Sequence, residues 1–115
     1  MNEKFLMEKV LSFSGRIVKL RQYLEELKKE TTISAEIVRS ATRIGTNVNA
    51  SAYAFNKNEY ITCMHSALKE TSETEYWLKL LAVTEYITGE MLNSFLTDCI
   101  EIKRLLVSSI NNLKG

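Results

Sequence analysis

Seven apolar residues near the N-terminus, Leu6, Val10, Phe13, Ile17, Leu20, Leu24 and Leu27, are spaced alternately four and three apart. A strand would scatter them over both of its faces, whereas an α-helix gathers all seven into one heptad seam. Such a seam is stable only when another helix packs along it. Gly15 lowers the helix propensity inside the seam. No proline occurs anywhere in the 115 residues, so the strongest helix breaker is absent and long helices are allowed throughout. That length suits one domain with one core.

The remaining chain repeats the pattern. The seam fades at residues 28–32, a polar Lys-Lys-Glu-Thr-Thr turn, giving a first helix over about 4–29. Ser34 is the expected N-cap of a second helix over 35–55. Its inner residues are Ile37, Ala41, Ile44 and Val48, and small residues (Gly45, Ala50, Ala52, Ala54) would let a neighbour approach. Asn56 followed by Glu59 has capping-box spacing and opens a third helix over 57–85. That helix carries an inward stripe of Tyr60, Met64, Ala67, Thr71, Thr74, Leu78 and Leu81. A second stripe of Glu70, Glu73, Trp77 and Leu80 lies beside it, together forming a face wider than one seam needs. Gly89 falls in the next turn and Thr88 caps a fourth helix over 89–113, whose apolar face runs from Leu92 to Leu113. Short connections imply antiparallel neighbours. The expected fold is all-α, an antiparallel up-down-up-down four-helix bundle in one domain over 1–115.

Several function classes drop out. Fifteen basic and fourteen acidic residues give a net charge of +1, too balanced for a domain built chiefly to coat nucleic acid. No apolar run approaches the ~20 residues that span a bilayer, and the N-terminus lacks a secretory signal. A cytoplasmic protein with no membrane partner is expected. Cys63 and Cys99 have no CxxC spacing and read as small core residues. With the turns placed as above they lie about 20 Å apart along the bundle, too far for a disulfide. A di-iron bundle needs Glu-x-x-His motifs, but the single histidine, His65, has Thr62 three residues before it. No cofactor, metal or catalytic residue is expected, and the chain reads as a non-enzyme.

Helix register then singles out polar residues. If the second turn centres near residue 56, Arg39 lies level with Glu73, Asn47 with His65, and Arg43 within a residue of Glu70. Two Arg/Glu pairings at one register suggest ion pairs that fix helix register or form a subunit contact. The alternative is a polar site for a ligand or a nucleic-acid backbone. Arg39, Arg43, Asn47, Glu70, Glu73 and Trp77 are therefore the structural or interface candidates.

These same segments carry a family likeness. Residues 39–49, R-S-A-T-R-I-G-T-N-V-N, resemble the motif R-x-x-x-S-I-G-A-N-V-x-E of a bacterial four-helix-bundle family. Residues 67–81, A-L-K-E-T-S-E-T-E-Y-W-L-K-L-L, resemble its second motif, A-L-K-E-x-x-E-T-x-Y-W-L, and residues 13–24 are similar to its first-helix signature. The likeness spans about 5–112 and points to the 23S rRNA intervening-sequence proteins, known from reading frames inside insertions of bacterial large-subunit rRNA genes. Relatives of that family include the accessory variability determinant of diversity-generating retroelements, a basic, barrel-like pentamer that works with a reverse transcriptase and nucleic acid. The resemblance implies an up-down bundle assembling as a homopentamer, and implies no catalysis. Arg39, Ile44, Gly45, Asn47, Val48, Glu70, Glu73, Tyr76, Trp77 and Leu78 fall on motif positions. The sequence departs at Arg43, where the motif has Ser, and at Ala50, where it has Glu, which shifts the polar face of the second helix.

Charge is unevenly spread. Residues 1–32 carry a net +2, residues 33–56 a net +1, and residues 57–88 a net −2. In a ring of copies, basic first and second helices would face a neighbour's acidic third helix, and the wide face at Trp77, Leu78, Leu80 and Leu81 would be covered there. A homo-oligomeric scaffold or adaptor, with itself and another protein as partners, is the leading expectation. An RNA- or DNA-binding accessory protein is the alternative, with Lys19, Arg21, Lys28 and Lys29 as candidate contacts. A small-molecule enzyme ranks last.

Overall fold

A computed structural model describes residues 2–114. They form four α-helices: α1 (Asn2–Glu26), α2 (Thr32–Ser51), α3 (Lys57–Val83) and α4 (Gly89–Lys114), with no strand among the described residues. Each connection is five residues long, so successive helices run antiparallel. α1 packs on α2, α2 on α3, α3 on α4 and α4 back on α1, with no diagonal pairing. The cross-section is a square of helices, and the molecule measures 45 × 21 × 19 Å. The all-α four-helix fold is as the periodicity predicts.

The core is the sum of the four stripes. Leu6, Val10, Phe13, Ile17, Leu20 and Leu24 of α1 are buried, as are Ile37, Ala41, Ile44 and Val48 of α2. Met64, Ala67, Leu78 and Leu81 of α3 meet Phe95, Cys99, Ile102, Leu106 and Ile110 of α4. Phe13 and Phe95 pack edge to face with centroids 6.5 Å apart. Cys63 and Cys99 are both free thiols. Cys99 is buried, as expected, but Cys63 is only half-buried. Gly15 sits inside an unbroken α1.

The turns depart from expectation. Leu27 lies outside the core at 72% exposure. The cause is Lys29, which adopts a left-handed backbone (φ 57°) and lets the Glu30 amide donate back to the Leu24 carbonyl at 2.9 Å. α1 thus stops before the seam does. α2 starts at Thr32, and Ser34 is not its N-cap. The carboxylate of Glu30 fills that role, accepting from the amides of Thr32 (3.0 Å), Ile33 (2.7 Å) and Ser34 (2.7 Å). Ser34 is buried in the first turn, its hydroxyl donating to the Glu30 carbonyl. A carboxylate here neutralises three orphan donors and complements the helix dipole, which accounts for a glutamate only 7% exposed.

α2 also ends earlier, at Ser51, leaving Ala52 and Ala54 in the turn, with Ala50 and Ala52 exposed. Asn56 does cap α3, accepting from the Glu59 amide at 2.8 Å, while the Glu59 carboxylate accepts from the Phe55 amide at 2.9 Å. The last turn uses Glu85, again left-handed (φ 66°), with the Tyr86 amide donating to Leu81. Thr88 caps α4 through the Met91 amide at 3.1 Å. Both left-handed positions are therefore non-glycine, and Gly89 opens a helix instead of making the bend.

Candidate polar seams and the open edge

Counting residues back from the α2–α3 turn places the charges correctly. Arg39 pairs with Glu73, and also with Glu36 one turn away at 3.1 Å. Glu73 accepts a second bond from the Trp77 indole at 3.1 Å, so Trp77 braces the carboxylate from its own helix. Hydrogen bonding to Glu36, then the charge of Glu73, holds Arg39 above the usual arginine value. Arg43 pairs with Glu70 at 3.2 Å. The second oxygen of Glu70 is buried with no hydrogen-bond partner. Asn47 donates to the Arg43 carbonyl at 2.8 Å. Beneath these pairs, the hydroxyls of Ser40 and Thr74 meet at 2.8 Å in the buried seam. Arg39, Arg43, Glu70, Glu73 and Trp77 thus form one ladder along α2 and α3, and Asn47 extends it along α2 alone.

Two further seams are laced in the same way. Between α1 and α4, Lys9 reaches Asp98 at 2.9 Å and Glu101 at 3.0 Å. Arg16 joins the same Asp98, donates to Ser94 at 2.8 Å and lies 4.2 Å over the Phe95 ring. Burial alone would raise the Asp98 carboxyl. The bonds from Lys9 and Arg16 outweigh it and leave that carboxyl below its ordinary value. Between α3 and α4, Lys103 pairs with Glu75 at 2.9 Å. The α1–α4 seam leaves no signal in the sequence, because Lys9 and Asp98 are 89 residues apart and no single turn joins α1 to α4.

This pairing bears on the charge-based picture of assembly. Glu70, Glu73 and Glu75, three of the five acidic groups of the third segment, pair within the chain with Arg43, Arg39 and Lys103. Glu59 and Glu85, the other two, are exposed, Glu59 in the first turn of α3 and Glu85 just past its end. Of the wide face, Leu78 and Leu81 are fully buried and Trp77 packs against the same core, while Leu80 stays half-buried.

The α1–α2 edge differs from the other three. Among the described residues no ion pair crosses it. A side-chain bond across it is the Ser14 hydroxyl to the Ala41 carbonyl at 3.5 Å. Instead there is a groove of about 330 Å3, walled by Met7 and Leu11 on α1 and by Thr42, Thr46 and Asn49 on α2, with Gly45 at its base. A methyl group on Gly45 would only reach ordinary contact, 3.4 Å from Val10. Gly45 therefore opens the groove more than it permits a tight crossing. A usable sequence signal existed: Leu11 and Val18 repeat at seven residues outside the seam, and both are exposed.

The basic candidates all lie at the C-terminal end of α1 and in the turn after it. Arg21 is held by Glu25 at 2.9 Å, and Lys28 lies 5.9 Å from the Tyr23 ring. Lys19 and Lys29 are exposed. His65 is exposed on α3, and no group of three metal-ligating side chains converges among the described residues. No described helix is long and apolar enough to cross a membrane.

The family model described as 23S rRNA-intervening sequence protein matches residues 4–108, reaching all four helices. No curated protein matches the chain. Among solved structures, a protein of unknown function from the S23 ribosomal protein family of Bacteroides thetaiotaomicron, with a crystal structure at 1.70 Å, is 42% identical. The likeness covers 96% of this chain and 99% of that one, with a TM-score of 0.95. With the family pattern running through every helix and the folds superposing nearly end to end, this chain belongs to the 23S rRNA-intervening sequence protein family.

Proposed function

We propose that the chain is a non-enzymatic module that self-associates into a ring and serves as a scaffold or adaptor. The observation that carries this reading is the α1–α2 edge. Three edges of the helix square are closed by ion pairs, and this one presents small residues and exposed apolar side chains. On the opposite side of the square, Ile100 and Val107 of α4 are also exposed. They share a stripe with Lys103, which pairs with α3, so they lie toward the α3–α4 edge. Two different apolar edges on opposite sides fit a head-to-tail contact, and head-to-tail contacts close into rings. The family resemblance sets the expected number of copies at five. Light scattering at micromolar concentration should give five times the chain mass of 13.2 kDa; a monomer would refute the reading.

A second reading, RNA or DNA binding, is favoured by Lys19 and Lys29, together with Lys57, Lys69 and Lys79 on α3, which have no ion-pair partner among the described residues. Retardation of structured RNA that weakens steeply from low to moderate salt would support it. No retardation even at low salt would reject it.

A further inference from the structure

The turn between α2 and α3 holds two aromatic side chains in water. Phe55 is 93% exposed and Tyr53 82%, more than any other large apolar side chains described. Loose backbone is not the reason. The amides of Ala52, Tyr53 and Ala54 donate to the carbonyls of Asn49, Ala50 and Ser51, and the Phe55 amide is held by Glu59. The turn is thus tied down through its hydrogen bonds while its aromatic rings stay outside. Phe55 directly precedes the N-cap Asn56. In that position an apolar residue ordinarily folds onto the first turn as a hydrophobic staple, here onto Tyr60. The capping bonds form and the staple does not.

We propose that Tyr53 and Phe55 of one copy seat in the α1–α2 groove of the next copy, as the contact that closes the ring; this rests on the self-association reading above. Size fits, since an apolar cavity of about 150 Å3 already admits benzene and the groove offers about 330 Å3. Position fits as well. The groove runs down to Met7 and Asn49, about one helical turn from the start of the aromatic turn. Knob and groove therefore lie at the same end of the bundle, and copies standing side by side with parallel axes present one to the other. The area also fits a recurring contact. Two aromatic side chains bury roughly 300–500 Å2, and the groove walls lose a similar area. Val18, Ile100 and Val107, outside the groove, then bring the total toward the ~1,200 Å2 of a stable interface. Every copy carries one knob and one groove, so each is satisfied only when the ring is closed.

The test uses the full chain with Cys63→Ser. Cys99 is left in place because burial, then the nearby charges of Glu75 and Asp98, push its thiol up to about 12, where it stays protonated and unreactive. Phe55→Cys and Thr46→Cys proteins are co-expressed and oxidised. A disulfide-linked band at twice the chain mass should form from the mixture and from neither protein alone. Separately, Tyr53→Ser/Phe55→Ser should weaken assembly at least about tenfold in light scattering. Helicity and melting temperature of the monomer should be unchanged, because these side chains touch little in their own copy. Assembly of the parent chain with no cross-link and no loss in the double variant overturns the proposal and leaves self-association standing. A monomeric parent overturns both. A double variant that assembles normally but no longer retards RNA would assign the rings to base stacking and also overturn it.

Discussion

Glu30 is a buried carboxylate whose only office is to receive amides. Thr32, Ile33 and Ser34 all donate to it, and Ser34 is itself fully buried. Glu30→Ala leaves those donors without acceptor or water. The expected loss is about 1–3 kcal/mol, read as a lower denaturation midpoint and faster amide exchange at residues 32–34. Glu30→Gln keeps one acceptor oxygen and should recover part of the loss. None of this was legible in the sequence. A glutamate followed by two threonines resembles an ordinary solvated turn, and Ser34 satisfies the usual cap preference better. What decides the matter is the left-handed Lys29, which turns the chain so that the Glu30 side chain folds over the end of α2. Glycine commonly advertises such a position; lysine does not.

At the scale of the helices, the buried stripes were legible because a 3.6-residue period leaves little freedom once a core exists. Six of the seven α1 residues are buried, and the exception, Leu27, fails for the same turn geometry. The α2–α3 ladder was legible because a five-residue turn ties the two helices to one register. The α1–α4 seam was not, since α1 and α4 are neighbours only through closure of the square. Its charges set a pH window. The Asp98 carboxyl is below its ordinary 3.8 in the folded chain, so the stability it adds is present above that pH and lost as pH falls through the lower folded value. Lys9 is raised above 10.5, chiefly by Asp98 and then Glu101, so its contribution is present below that pH and lost at higher alkalinity. Between these limits Asp98→Asn should cost about 1–2 kcal/mol. In acid denaturation the gap between parent and variant should narrow as pH falls below 3.8; a gap that stays constant on acidification would show that the loss is steric.

Over the whole molecule, opposite charges have been spent inward. The near-neutral net charge reads in the sequence as a basic front half and an acidic third helix, which invites a charged handshake between copies. The folded chain instead uses three of those acids, Glu70, Glu73 and Glu75, across its own seams and leaves one edge without ion pairs among the described residues. That edge has a consequence for conditions. The proposed contact between copies there would draw on apolar burial, which fades on cooling and is strengthened by excluded salts such as sulfate. Raising sodium chloride from 50 to 500 mM should therefore leave the assembly intact, whereas any nucleic-acid complex should fall apart over that range. Chilling should loosen the ring before it loosens a single helix, and sedimentation at 4 °C and 25 °C, across salt, would separate a machine held by charge from one held by the reluctance of water to wet it.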